Sequence, residues 1–123
     1  MRDLQEPPTS EISLTEVLHA LSDPLRLQVA KRLTEHGECS CSRLGGSVSK
    51  STLSHHLKVL REAGLTSTRA DGTQRLVSLR RVEVESRFPG LLEAVLGARR
   101  RSGGRVSHSV EAERDYNSKI VKV

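Results

Sequence analysis

The stretch that most constrains the fold is Ser49-Lys50-Ser51-Thr52-Leu53-Ser54-His55-His56-Leu57-Lys58-Val59-Leu60-Arg61-Glu62-Ala63-Gly64-Leu65. Leu53, Leu57 and Leu60 recur at i, i+4 and i+7, the period of a helix with one buried face. The ends agree, since Ser49 offers a capping hydroxyl and Gly64 stands where a left-handed C-terminal residue is wanted. At about 100° per residue, one arc gathers Lys50, Arg61, Ser54, Lys58, Ser51, Glu62 and His55, and the opposite arc gathers Val59, Thr52, Ala63, His56, Leu60, Leu53 and Leu57. The outer arc carries hydroxyls, amines and imidazole with Glu62 as its one acid, a face suited to nucleic acid. The tandem histidines separate on this wheel. His55 lies at the edge of the wet face, within reach of a base edge or phosphate, and His56 turns inward, where an imidazole hydrogen-bonded to backbone is expected.

Charge distribution points the same way. Residues 43–81 hold eight basic side chains against Glu62 and Asp71, a local +6, whereas residues 1–42 sum to −3, residues 82–96 to −2 and residues 97–123 to +4. A basic middle between acidic segments suggests a surface facing a polyanion, the plainer alternative being a solvated charge run. The core is thin. A chain of 123 residues with 35% hydrophobic content and Phe88 and Tyr116 as its aromatics is of one-domain length and gains from a second copy. Without an apolar run of spanning length or a signal-peptide pattern, a cytoplasmic protein with no membrane partner is expected.

Around the polar-faced helix the elements fall into order. Residues 1–11, with Pro7 and Pro8 and no period, read as a flexible N-terminal arm. Ser13-Leu14-Thr15-Glu16 is a capping box with Ile12 and Val17 as its hydrophobic staple, and a helix over about 14–22 follows. Asp23-Pro24 starts a second helix, which Leu25, Val29 and Leu33 carry to His36 before Gly37. A short helix at Ser40–Leu44, the Gly45-Gly46 turn and the longer helix form a helix-turn-helix arrangement. Segments 65–70 and 73–79 flank Asp71-Gly72, a pair suited to a two-residue hairpin turn, with Arg69 and Arg75 beside the tip. Such an appended hairpin is a wing, and its arginines suit phosphate or minor-groove contact. Pro89 opens a last helix over about 90–100, whose narrow stripe of Leu91, Leu92, Val95 and Leu96 suits a docking seam. Arg99, Arg100 and Arg101 complement its C-terminal dipole, with a DNA-contacting tail as the alternative, and residues 102–123 read as a flexible basic tail. The fold class is therefore mainly α with a small β-hairpin.

Ala20-Leu21-Ser22-Asp23-Pro24-Leu25-Arg26-Leu27, then Ser49-x-Ser51-Thr52-Leu53-Ser54-x-His56-Leu57-x-x-Leu60-Arg61-x-Ala63-Gly64-Leu65, then a hairpin at Asp71-Gly72, together resemble the ArsR-type (ArsR/SmtB) winged helix-turn-helix transcriptional regulators. The resemblance spans about residues 13–100; the domain is drawn as 12–101. It implies a homodimer held by its first and last helices, with two recognition helices entering successive major grooves of an imperfect inverted repeat, as a repressor would. It makes Lys50, Ser51, Thr52, Ser54 and His55 base and phosphate candidates, Thr52 the weakest because its arc turns inward. Arg43, Lys58, Arg61, Arg69 and Arg75 become phosphate or groove-edge partners of double-stranded DNA.

Many members of this family release DNA on binding a metal. Cys39-x-Cys41 lies near the position of their soft-metal cysteines, but Ser40 and Ser42 occupy the usual register, so thiolate ligation, a redox switch and plain packing stay open. His108 and Glu111, a His-x-x-Glu in the tail, faintly resemble the zinc- or nickel-type site, so a divalent transition metal there is the other candidate. No enzyme is expected: Ser54 and His55 diverge as helix neighbours and no third group orients them. Two aromatics are too few for a single-strand or RNA platform, and the remaining rivals are a winged-helix protein-interaction module and a ligand-independent regulator without metal or redox sensing.

Overall fold

The computed structural model describes residues 6–97. After a turn of 3-10 helix at Thr9–Glu11 come α1 (Leu14–Ala20), α2 (Pro24–His36), β1 (Cys39–Ser40), α3 (Cys41–Leu44) and α4 (Lys50–Glu62). Strands β2 (Thr66–Asp71) and β3 (Gln74–Leu79) follow, then α5 (Arg81–Arg87) and α6 (Leu91–Leu96). Among the described residues no helix is long and apolar enough to cross a membrane.

The three helix starts read from sequence are built by their caps. The Ser13 hydroxyl accepts from the Glu16 N–H at 3.3 Å, the Asp23 carboxylate from the Arg26 N–H at 3.0 Å, and the Ser49 hydroxyl from the Thr52 N–H at 3.1 Å. Each satisfies an N–H that the helix itself leaves unpaired. Ile12 and Val17, the staple, are both fully buried. They join Val29 and Leu33 of α2, Leu53, Leu57 and Leu60 of α4, Val77 of β3, Val84 of α5, and Leu92 and Leu96 of α6 in one core.

The wing is larger than a hairpin. Strands pair in the antiparallel order β1-β3-β2, because Cys39 and Ser40 add to the far side of β3 opposite Val77 and Leu76. Its turn also sits one residue later than expected. Asp71 pairs with Gln74, so the loop is Gly72-Thr73, with a positive φ at Gly72 alone. Glycine at the first central position is the type II′ preference, which leaves Asp71 in the ladder.

Three further departures concern the ends. Helix α5 was not expected; it starts at Arg80 with no capping side chain and is anchored by Val84, which is buried. Helix α6 stops at Leu96 with Gly97 in the left-handed region, shorter than the 90–100 read from sequence. Arg99, Arg100, Arg101, the 102–123 tail and the candidate ligands His108 and Glu111 lie outside the described residues. At the other end, residues 6–12 are held against the sheet and α5. The Glu6 carboxylate accepts from the Ser67 hydroxyl and the Thr68 N–H, both at 3.0 Å. Arg80 donates to the Pro7 carbonyl at 2.7 Å, and Arg87 donates twice to the Ile12 carbonyl at 3.1 and 2.7 Å.

Candidate nucleic-acid interface

Helix α3, the 45–49 turn and α4 make the helix-turn-helix. Leu53, Leu57 and Leu60 fix α4 to the core, which leaves Lys50, Ser51, Ser54, His55 and Lys58 exposed on the opposite side, as the wheel required. Lys58 reaches Glu62 one turn on at 3.9 Å, an exposed pair of small energetic weight. Thr52 departs from expectation: it is exposed rather than inward, and its hydroxyl accepts from Ser49 Oγ at 3.0 Å while Ser49 and Ser51 hydroxyls stand 3.3 Å apart. Three hydroxyls therefore cluster at the N-terminus of α4, where the partial positive charge of the helix favours an anion.

Strand register separates the two wing arginines. Arg75 stands opposite Ala70 and shares the inner face with Val77, whereas Arg69 stands opposite Leu76 on the outer face. On the inner side, Arg75 and Arg61 both bear on the Cys41 thiol electrostatically, so the wing and α4 bring two cations toward α3. Arg61 is half-buried rather than fully outward, and its Nε is buried without a hydrogen-bond partner. Arg43, in the last turn of α3, is exposed. On the outer side, Arg69 donates through Nε and Nη2 to the two carboxylate oxygens of Glu38 at 2.9 and 3.0 Å. This fork holds the Glu38 carboxyl below the usual carboxylate range, principally through its hydrogen bond, and raises the Arg69 guanidinium in return. The fork commits two of the guanidinium's five N–H donors, and Arg69 itself stays exposed.

His56 is inward, 16% exposed, but its partner is not backbone. Its Nδ1 lies 3.0 Å from Nη1 of Arg26, a buried arginine at the start of α2. Sequence reasoning missed this contact and the Glu38–Arg69 fork, which join residues 30 and 31 positions apart. The available signals were Asp23-Pro24-x-Arg26 at a helix start and a histidine on the inner arc of α4.

The cysteines divide between two elements. Cys39 is in β1 with its Sγ 3.4 Å from the Gly37 carbonyl, and Cys41 opens α3, half-buried. Burial pushes the Cys41 thiol up, against the opposing pull of Arg75 and Arg61. Among the described residues no group of three or more His, Cys, Asp or Glu could hold a metal ion. Two thiols on different elements, one beside two guanidinium groups that repel cations, do not fit a soft-metal site of three or four ligands.

The chain resembles known regulators in both sequence and fold. A model of the helix-turn-helix domain matches residues 21–69. The HTH-type transcriptional regulator YceK of Bacillus subtilis (strain 168) is 42% identical over 83 residues, 65% of this chain and 83% of that protein. The arsenical resistance operon repressor of Staphylococcus xylosus is 37% identical over 67 residues, 54% of this chain and 64% of the repressor. Among solved structures, the transcriptional repressor BigR from Xylella fastidiosa matches with a TM-score of 0.53 at 31% identity, covering 70% of this chain and 88% of BigR. With a polar-faced α4 behind a short α3 and a three-stranded wing beside them, the chain belongs to the ArsR-type family of winged helix-turn-helix, DNA-binding transcriptional regulators.

Proposed function

We propose that the chain is a homodimeric repressor that reads an imperfect inverted repeat of double-stranded DNA, with α4 in the major groove and the β2–β3 wing beside it. One observation carries the reading. Arg43, Lys50, Arg61 and Arg75, from α3, α4 and the wing, have no carboxylate partner among the described residues, and α4 exposes a face of hydroxyls and imidazole. Unpaired cations beside a polar helix face favour phosphates flanking base edges. In this arrangement Lys50, Ser51, Ser54 and His55 meet base edges, Thr52 supports the helix start, and Arg43, Lys58, Arg61 and Arg75 meet phosphates. Arg69 engages a phosphate with two of its donors already committed to Glu38.

The dimer is supported by apolar surface that one chain leaves open. Leu14 and Leu18, one turn apart on α1, are 43% and 45% exposed, and Val95 of α6 is 36% exposed. A second copy covering them would complete a thin core. The test is titration of the full chain against duplex from its own upstream region at several salt concentrations. The four phosphate contacts per protomer, through Arg43, Lys58, Arg61 and Arg75, predict a slope of log affinity on log salt of about −7 for a dimer. Footprinting should protect an inverted repeat; salt-independent association with a protein, or no protected repeat, sinks the proposal in favour of an interaction module.

A further inference from the structure

We infer that Arg26 and His56 form a positioning pair that sets the pitch of α4, so that discrimination between DNA sequences depends on it while attraction to phosphates does not. The inference rests on α4 reading duplex DNA.

Arg26 is only 8% exposed and gathers three helices. Its Nε donates to the Ala20 carbonyl at the end of α1 at 2.7 Å, its own N–H is capped by Asp23 at the start of α2 at 3.0 Å, and its Nη1 meets His56 Nδ1 midway along α4 at 3.0 Å. A guanidinium can only donate, so Nδ1 accepts and the ring proton sits on Nε2. Asp23 Oδ2 stands 3.8 Å from the same Nδ1, which makes the three side chains one cluster.

What lies beside the cluster makes the bond matter. A cleft of about 530 Å³ opens between the start of α2 and the first turns of α4, lined by Asp23, Pro24, Leu25, Val48, Thr52 and His56. Packing is therefore missing on this flank of α4. Leu53 and Leu57 hold the helix down, but apolar contact is non-directional and leaves its tilt and rotation loosely set. The directional hydrogen bond from Arg26 to His56, which lines the cleft, supplies that restraint. Its effect reaches the outer face at once, because the His55 ring meets the His56 ring edge-on with centroids 5.3 Å apart. Base-edge contacts tolerate displacements of only about half an ångström, whereas flexible cations follow a phosphate through larger ones.

The test compares the full chain with H56L and H56N, using fluorescence anisotropy on the footprinted duplex and on a scrambled duplex of equal length. Loss of a charged hydrogen bond predicts that H56L weakens binding to the footprinted duplex about 10- to 100-fold, leaves the scrambled duplex within about twofold, and keeps the salt slope. Asparagine places its carbonyl oxygen where Nδ1 stood, so H56N should recover most of the loss. Equal loss on both duplexes, no loss in H56L, or H56N no better than H56L overturns the inference. Independently of any variant, the ¹⁵N shifts of His56 in the wild-type chain at pH 8 should report the Nε2–H tautomer; the other tautomer also overturns it. A wild-type chain that does not distinguish the duplexes overturns the DNA reading itself.

Discussion

Replacing Gly64 by alanine perturbs the joint between α4 and the N-terminal segment. Gly64 has φ +92° and closes α4 in a Schellman motif, its N–H donating to the Arg61 carbonyl and the Leu65 N–H to the Leu60 carbonyl, both at 3.0 Å. A Cβ there would stand 2.6 Å from Ile12 Cγ1, 3.0 Å from Cδ1 and 3.2 Å from Cγ2. Two penalties follow. The left-handed backbone costs an L-residue about 1–2 kcal/mol, and forcing a methyl against packed atoms costs about 1–3 kcal/mol. Ile12 has little room to retreat, being fully buried with its carbonyl held by Arg87. The sum, about 2–5 kcal/mol, lowers Tm by roughly 10–30 °C for a domain of this size. Urea titration followed by far-UV circular dichroism measures it. In an Ile12→Ala background the clash is gone and Gly64→Ala should cost only the backbone share, leaving a coupling of about 1–3 kcal/mol in the double-mutant cycle. A cost below about 0.5 kcal/mol, or the same cost in both backgrounds, refutes the reasoning.

Other perturbations give distinct signatures. Ser49→Ala removes the cap of α4 and should cost about 1 kcal/mol in thermal melts, with Ser49→Asp retaining most of it. Glu38, held by Arg69 below its ordinary 4.5, contributes stability in full above that value and loses it as pH falls through the depressed one. Glu38→Gln should therefore flatten the decline of Tm between about pH 5 and pH 3; unchanged slopes would contradict the fork. In a Cys39→Ser variant at pH 8, burial should make the remaining Cys41 thiol react with Ellman's reagent more slowly in the folded chain than in urea. Arg75→Ala should flatten the salt slope by about 0.9 for each phosphate the arginine neutralises, as measured by anisotropy on one duplex, with sequence preference intact.

What could be read in advance was local. Ser13, Asp23 and Ser49 announce helix starts because a cap bonds to an N–H within three residues, and Gly64 announces a stop for the same short-range reason. The hairpin was legible, but not its turn: Asp71-Gly72 and Gly72-Thr73 both use a positive φ at Gly72, and the Asp71–Gln74 pairing with no positive φ at Asp71 selects the second. Either turn pairs Arg75 with a residue on the other face from Arg69, so their separation was available from a two-residue turn alone. Helix α5 carries no capping side chain and is held by the burial of Val84, a tertiary effect with no local mark. The Arg26–His56 bond and the Glu38–Arg69 fork likewise depend on the finished fold, so the acid that occupies Arg69 could not be paired with it from spacing.

An outermost strand offers its free N–H and C=O groups to any other strand that drifts alongside, the usual route to edge-to-edge association. Strand β2 is such an edge, and the Thr68 N–H on its free side is taken by Glu6. A charged carboxylate cannot extend the ladder, and Pro7 and Pro8 behind it have no N–H with which to begin another. The segment ahead of α1 thus works as a built-in cover against aggregation on the outer edge of the wing.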